Sequence, residues 1–100
     1  MVKRIIIWSD HAKTELKIIL KFFNFRNKSK TYSNHLSNLF KREVKILINH
    51  PFIGTKTDTL NVRSFLIENY FVFYEITDIQ IIILSVWDTR QNPESSTYNR

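Results

Sequence analysis

Apolar positions along this chain fall into two stretches of helical spacing, preceded by one strand-like run and followed by three more. Lys3, Ile5 and Ile7 alternate with Arg4, Ile6 and Trp8, a β-branched run that predicts a strand. Ser9 then stands where a helix cap belongs, with Asp10 in the first turn, where a negative charge suits the helix dipole. Ala12, Leu16, Ile19 and Phe23 recur at helical spacing, and Ile18, Leu20 and Phe22 widen the stripe, so an amphipathic helix is expected from Asp10 to about Phe23. The polar, periodless stretch 24–30 reads as a loop. A second stripe, with Tyr32, Leu36, Leu39, Phe40, Val44, Ile46 and Leu47, predicts a helix from about Thr31 to Asn49.

Pro51 disfavours helix at His50 and closes that element, and the only glycine of the chain, Gly54, follows. Spending the sole glycine there suggests a backbone angle that no other residue fits. Residues 55–61 read as a polar connection. Three short strands come next, Val62 to Leu66, Tyr70 to Ile76 and Gln80 to Trp87, separated by segments short enough for hairpins. The last strand carries Ile81, Ile82, Ile83 and Leu84 in a row, which predicts a central position covered on both faces or nearly so. The order is therefore β-α-α-β-β-β, an α+β fold. A helical hairpin packs one face of a mostly antiparallel four-stranded sheet and leaves the other face partly open. Residues 1–93 form one domain in this reading, and 94–100 a flexible carboxy-terminal tail.

Composition narrows the class. One hundred residues suffice for one core and not for two, and 43% apolar content with one Gly and two Pro favours folding over disorder. Cysteine is absent, so disulfides, thiolate metal sites and cysteine nucleophiles are excluded. The first apolar run is too short for a signal peptide, and none approaches the ~20 residues of a membrane-spanning helix, so a cytoplasmic protein with no membrane partner is expected. The net charge of +6 is unevenly placed: residues 1–60 hold 12 Lys/Arg against 4 Asp/Glu, and residues 61–100 hold 3 against 5. The positive field thus belongs to the first half, and it attracts nucleic acid, anionic lipid or an acidic protein alike. Interleaved Phe22, Phe23, Phe25, Tyr32 and Phe40 could stack bases there, but core packing is the commoner use of such residues.

His11, His35 and His50 titrate near neutrality, yet nothing in the spacing pairs them, and surface or capping roles fit better than catalysis. No HxxxH, carboxylate cluster or glycine-rich phosphate loop occurs, so neither a metal nor another cofactor is expected.

Five segments, in order and at consistent spacing, carry a family resemblance. They are Trp8-Ser9 with Ala12 and Leu16; Leu47 to Gly54; Val62-Arg63-Ser64-Phe65; Tyr70 to Ile76; and Ile82 to Pro93. Together they resemble the toxins of the RelE/ParE superfamily, the basic halves of type II toxin-antitoxin pairs. The resemblance implies a growth-inhibiting toxin neutralised by a cognate acidic antitoxin in a hetero-oligomer. It leaves the target open between DNA gyrase, poisoned without cleavage in the ParE branch, and messenger RNA in the ribosome, cut by the RelE branch. The Trp8-Ser9 strand end and a thin catalytic complement lean towards ParE. A non-toxic basic adaptor with the same fold is the third reading.

Under the resemblance Arg63 and Arg90 match basic positions of the superfamily. A bidentate guanidinium suits a phosphate, so both are candidates for target or phosphate binding, with Lys56 beside them. Were the chain a metal-free ribosome-dependent endoribonuclease, Arg63 and Arg90 would be catalytic, with Tyr98 as the tail aromatic that branch uses. The structural alternatives are that Arg63 pairs with Glu75 on the next strand and Arg90 with Asp88 or the tail. Lys21, Lys41 and Lys45, on the basic helices, are the expected antitoxin contacts.

Overall fold

The computed structural model describes residues 3–90. Strand β1 (Ile5–Trp8) leads into helix α1 (Asp10–Asn27), helix α2 (Thr31–Val44) and the single turn α3 (Ile46–Asn49). Strands β2 (Thr55–Lys56), β3 (Val62–Ile67), β4 (Tyr70–Ile76) and β5 (Gln80–Asp88) follow among the described residues. The strands form one sheet in the order β1-β5-β4-β3-β2, with β1 parallel to β5 and every other pairing antiparallel. The expected helical hairpin on a mostly antiparallel sheet is present. The sheet has five strands rather than four, because Thr55 and Lys56, inside the expected polar connection, pair with Ser64 and Arg63.

Helix α1 starts as its sequence dictates: the Ser9 hydroxyl accepts the Ala12 N–H at 3.0 Å. It ends four residues later than its apolar stripe. Asn24 to Asn27 contain no Gly or Pro, and Asn24 Oδ1 meets the buried Ser33 hydroxyl of α2, so a stretch that reads as loop is the last turn of a helix tied to its neighbour. Lys28, at φ 50°, terminates it in the left-handed region that glycine usually occupies. The second expected helix is broken at Lys45 into α2 and α3.

The helix-facing side of the sheet carries the core: Ile67, Tyr70, Val72, Tyr74, Ile81, Ile83 and Val86 close on Ala12, Leu36, Leu39, Phe40, Val44 and Leu47. Full burial of a large aliphatic or aromatic side chain contributes roughly 1.5–3 kcal/mol. Strand β5 is interior, as its apolar run predicts; Ile81 and Ile83 are inaccessible while Ile82 and Leu84 on the other side are half-buried. On α1 the widened stripe is only half used, since Ile18 and Phe22 are exposed, and Phe25 and Tyr32 join them outside. Of the five interleaved aromatics, Phe40 is fully buried and Phe23 partly so.

The β4–β5 ladder shifts register between Phe73 and Tyr74, which face Ser85 and Ile83 and leave Leu84 as the extra residue. Helix α1 satisfies the backbone this irregularity frees. The Glu15 carboxylate accepts the Val86 N–H at 3.0 Å, and the Ser9 hydroxyl lies 3.2 Å from the Leu84 carbonyl oxygen.

Candidate functional site: two separate grooves

Strand β3 places Arg63 on the helix-facing side, directly opposite Tyr74 on β4 and Lys56 on β2. Glu75 pairs with Val62 and therefore points to the other face, so the expected Arg63–Glu75 ion pair does not form. Arg63 instead donates from Nη1 to the carbonyl oxygens of Gly54, at 2.8 Å, and Phe52, at 3.2 Å, and its guanidinium lies 5.3 Å from the centre of the Phe52 ring.

The same loop is gripped from below by Tyr74. Its buried hydroxyl donates to the Pro51 carbonyl oxygen at 2.8 Å and accepts the Gly54 N–H at 3.0 Å. Burial raises the Tyr74 pKa, and the hydrogen bond from the Gly54 N–H and the Arg63 charge offset part of that rise. Gly54 is required by space rather than by backbone angle. Its φ is not positive, and a Cβ there would lie 2.5 Å from the Tyr74 hydroxyl and 2.7 Å from the Ser64 carbonyl oxygen.

Beyond this clamp opens a groove of about 690 Å³. Arg63, Lys56 and Arg4 bring positive charge to its walls, Glu75 and Asp78 bring negative charge, and Phe52 supplies an exposed ring. Arg4 is held much as Arg63 is, its Nε donating to the Thr77 carbonyl oxygen at 2.7 Å. None of the three cations has a carboxylate within ion-pair distance among the described residues, where the ion pairs are His11–Glu15 and Arg90–Asp88.

Arg90 lies elsewhere. It follows β5 and forms a two-pronged pair with Asp88, Nε to Oδ1 at 3.0 Å and Nη2 to Oδ2 at 2.7 Å. The hydrogen bond from Arg90 holds the Asp88 carboxyl below its ordinary pKa, and Asp88 in turn raises that of Arg90. This pair edges a second, mainly apolar groove of about 500 Å³, floored by Ile18, Ile19, Phe22 and Phe23 of α1 with Tyr70 and Trp87 of the sheet. Burial first, and the nearby Asp88 charge second, raise the pKa of Tyr70.

The structure thus brings Arg63 and Lys56 together and keeps Arg90 apart, in a groove that shares no lining residue with theirs. Lys21, Lys41 and Lys45 are exposed on the helices or at their ends and line neither groove. Tyr98 and the tail 94–100 lie outside the described residues. Exposed His11 forms a one-turn pair with Glu15 at 3.3 Å, His35 lies 6.4 Å from the Tyr32 ring, and His50 ends α3. No three His, Asp or Glu side chains gather as a metal site among the described residues. Arg4, Phe52 and Tyr74 escaped sequence reading. Arg4 looks like one more strand residue and Tyr74 like one more core aromatic, and only the isolated Gly54 hinted that a side chain comes close to it.

A model of the family described as the ParE toxin of the type II toxin-antitoxin system parDE matches residues 6–93. Among solved structures, the chromosomal ParDE toxin-antitoxin system from P. aeruginosa contains a chain of similar fold. Its TM-score is 0.75 at 15% identity, over 89% of this chain and 98% of that one. A chain of the E. coli DinJ-YafQ toxin-antitoxin complex is also similar, with a TM-score of 0.57 at 16% identity, over 87% of this chain and 93% of that one. No curated protein sequence matches significantly.

Proposed function

The chain belongs to the ParE toxin family of type II toxin-antitoxin systems, and from that premise we propose that it arrests growth by binding a protein target, DNA gyrase, rather than by cutting RNA. A cognate acidic antitoxin neutralises it, attracted by the positive first half of the chain.

The observation that carries this reading is the separation of the two arginines. Metal-free RNA cleavage needs a base, an acid and cations converging on one phosphate. Arg63 sits opposite Tyr74, whereas Arg90 follows Asp88, which sits opposite Tyr70. Four residues along β4 amount to about 13 Å, and β3 and β5 are two strand spacings apart, about 9.5 Å more in the perpendicular direction. One phosphate does not span that gap. Arg90 already has both prongs on Asp88, and Arg63 is anchored through Nη1 on the 52–54 loop, so neither guanidinium is placed to reach the other's groove. Binding asks less of the surface than catalysis: it needs charge and shape, which both grooves offer.

A purified-component experiment tests the proposal. Supercoiling by gyrase is expected to fall on addition of the chain while translation by purified ribosomes continues. Cuts in messenger RNA that appear only with ribosomes, phased to codons, would overturn it in favour of the endoribonuclease. Unimpaired growth on induced expression, in a host with intact targets, would leave only the non-toxic adaptor. The antitoxin part is checked by co-expression with the product of the adjacent open reading frame, expected to be acidic and to co-purify.

A further inference from the structure

We propose that the groove between α1 and the end of β5 binds a small amphipathic cation, a primary ammonium on an apolar or aromatic tail, with Tyr70 and Asp88 taking the head and the α1 aromatics the tail. This site shares no lining residue with the Arg63 groove, and its ligand is independent of which macromolecule the chain acts on.

Size and lining suit a small molecule. The volume of about 500 Å³ lies within the ~300–1,000 Å³ of such sites, and the mainly apolar floor has a few polar groups beside it. Tyr70 is the residue that asks for a ligand. It is only 4% exposed, yet no described residue hydrogen-bonds its hydroxyl, an unfavourable state for a buried donor. The charged groups that act on this hydroxyl include Asp88, directly opposite across β4 and β5, and Arg90. Both edge the groove, so the hydroxyl stands at its polar rim.

The rim also sets the sign of the head group. Asp88 raises the Tyr70 pKa by more than Arg90 lowers it, so the potential at the hydroxyl is negative. Glu15 and Asp88 outnumber Arg90 in the lining by one charge. An ammonium is attracted there and a carboxylate repelled, although the chain as a whole is basic. An acceptor is open as well. A carboxylate offers about four acceptor positions; the Arg90 backbone N–H and Nε take Oδ1 of Asp88 and Nη2 takes Oδ2, which leaves Oδ2 room for one more donor. Phe22, 53% exposed, and Phe23 stand edge to face with centres 5.2 Å apart, and aromatic walls favour a cation and its tail together.

The test is a titration of the isotope-labelled full chain, followed by NMR, with phenethylammonium and, separately, with 3-phenylpropionate of similar size. The ammonium is expected to shift residues 15–23, 70 and 86–90, and to bind at least tenfold more tightly than the carboxylate. Affinity should fall about fivefold in Tyr70→Phe and about tenfold in Asp88→Asn, and stay unchanged in Asp58→Asn, which removes an exposed carboxylate outside this groove. Tyr70→Phe is also expected to melt at or above the temperature of the parent, because the hydroxyl it removes has no partner. Equal or tighter binding of phenylpropionate, shifts centred elsewhere, equal losses in Asp88→Asn and Asp58→Asn, or a lower melting temperature of Tyr70→Phe would each overturn the assignment. Neither gyrase nor ribosomes take part, so a negative result leaves the target experiment standing.

Discussion

Tyr74 is the residue on which the 51–54 loop depends. Its hydroxyl satisfies one buried donor and one acceptor at once, and Tyr74→Phe leaves both unpaired. Such a deletion costs about 1–3 kcal/mol, measurable as a lower urea midpoint with unchanged slope. The substitution also alters the alkaline limb. The folded-state pKa of Tyr74 is raised by burial above its ordinary 10.0, so its contribution is complete below about pH 10 and is lost as pH climbs through the folded value. Tyr74→Phe is expected to flatten that part of the stability profile. Gly54→Ala is expected to destabilise by about 1–3 kcal/mol through crowding. The two changes should be less than additive, since removing the hydroxyl vacates part of the space that the new methyl needs.

At the level of elements, helix ends were partly legible and partly hidden. The Ser9 cap was plain in the sequence, and Ser9→Ala should cost about 0.5–2 kcal/mol in thermal or urea unfolding, towards the upper part because the same hydroxyl touches the Leu84 carbonyl oxygen. The far end of α1 was not legible. Its last turn is polar on the outside and held by Asn24 against Ser33 on α2, a contact between residues nine apart that no local pattern announces. Lys28 pays no visible sequence tribute to its left-handed backbone, and Lys28→Gly is expected to stabilise by about 0.5–1 kcal/mol, read as a rise in melting temperature. The β2 strand was missed for a different reason: two exposed polar residues acquire strand geometry only because β3 offers them an edge.

Across the whole molecule, the two arginines do different work at opposite ends of the sheet. Arg63→Ala removes the clamp on residues 52–54 and should lower stability by about 1–3 kcal/mol. Arg90→Ala breaks an exposed pair and should leave the melting temperature within about 2 °C of the parent. A loss of toxicity in Arg90→Ala would therefore report on function, whereas the same loss in Arg63→Ala must be weighed against its unfolding curve. The Asp88 carboxyl, with its depressed pKa, contributes above its ordinary 3.8 and loses that contribution as pH falls through the folded value. The uneven charge of the chain acts at longer range. Capture of an acidic partner should slow markedly between about 0.1 and about 1 M salt, as the screening length shrinks from about 10 to about 3 Å, and stopped-flow mixing measures it.

Periodicity and composition by themselves determined the order of the elements apart from β2 and the break at Lys45, the burial of Leu36, Phe40 and Ile83, the site of the helix stop at Pro51 and the positive first half, because each depends on neighbours within a few residues or on a simple count. Only the tertiary structure decided that Glu75 faces away from Arg63, that Gly54 answers to the Tyr74 hydroxyl rather than to a backbone angle, and that Arg63 and Arg90 belong to different grooves. Those outcomes turn on strand register and on the approach of distant segments to one another, for which a single chain read in order carries no local signal.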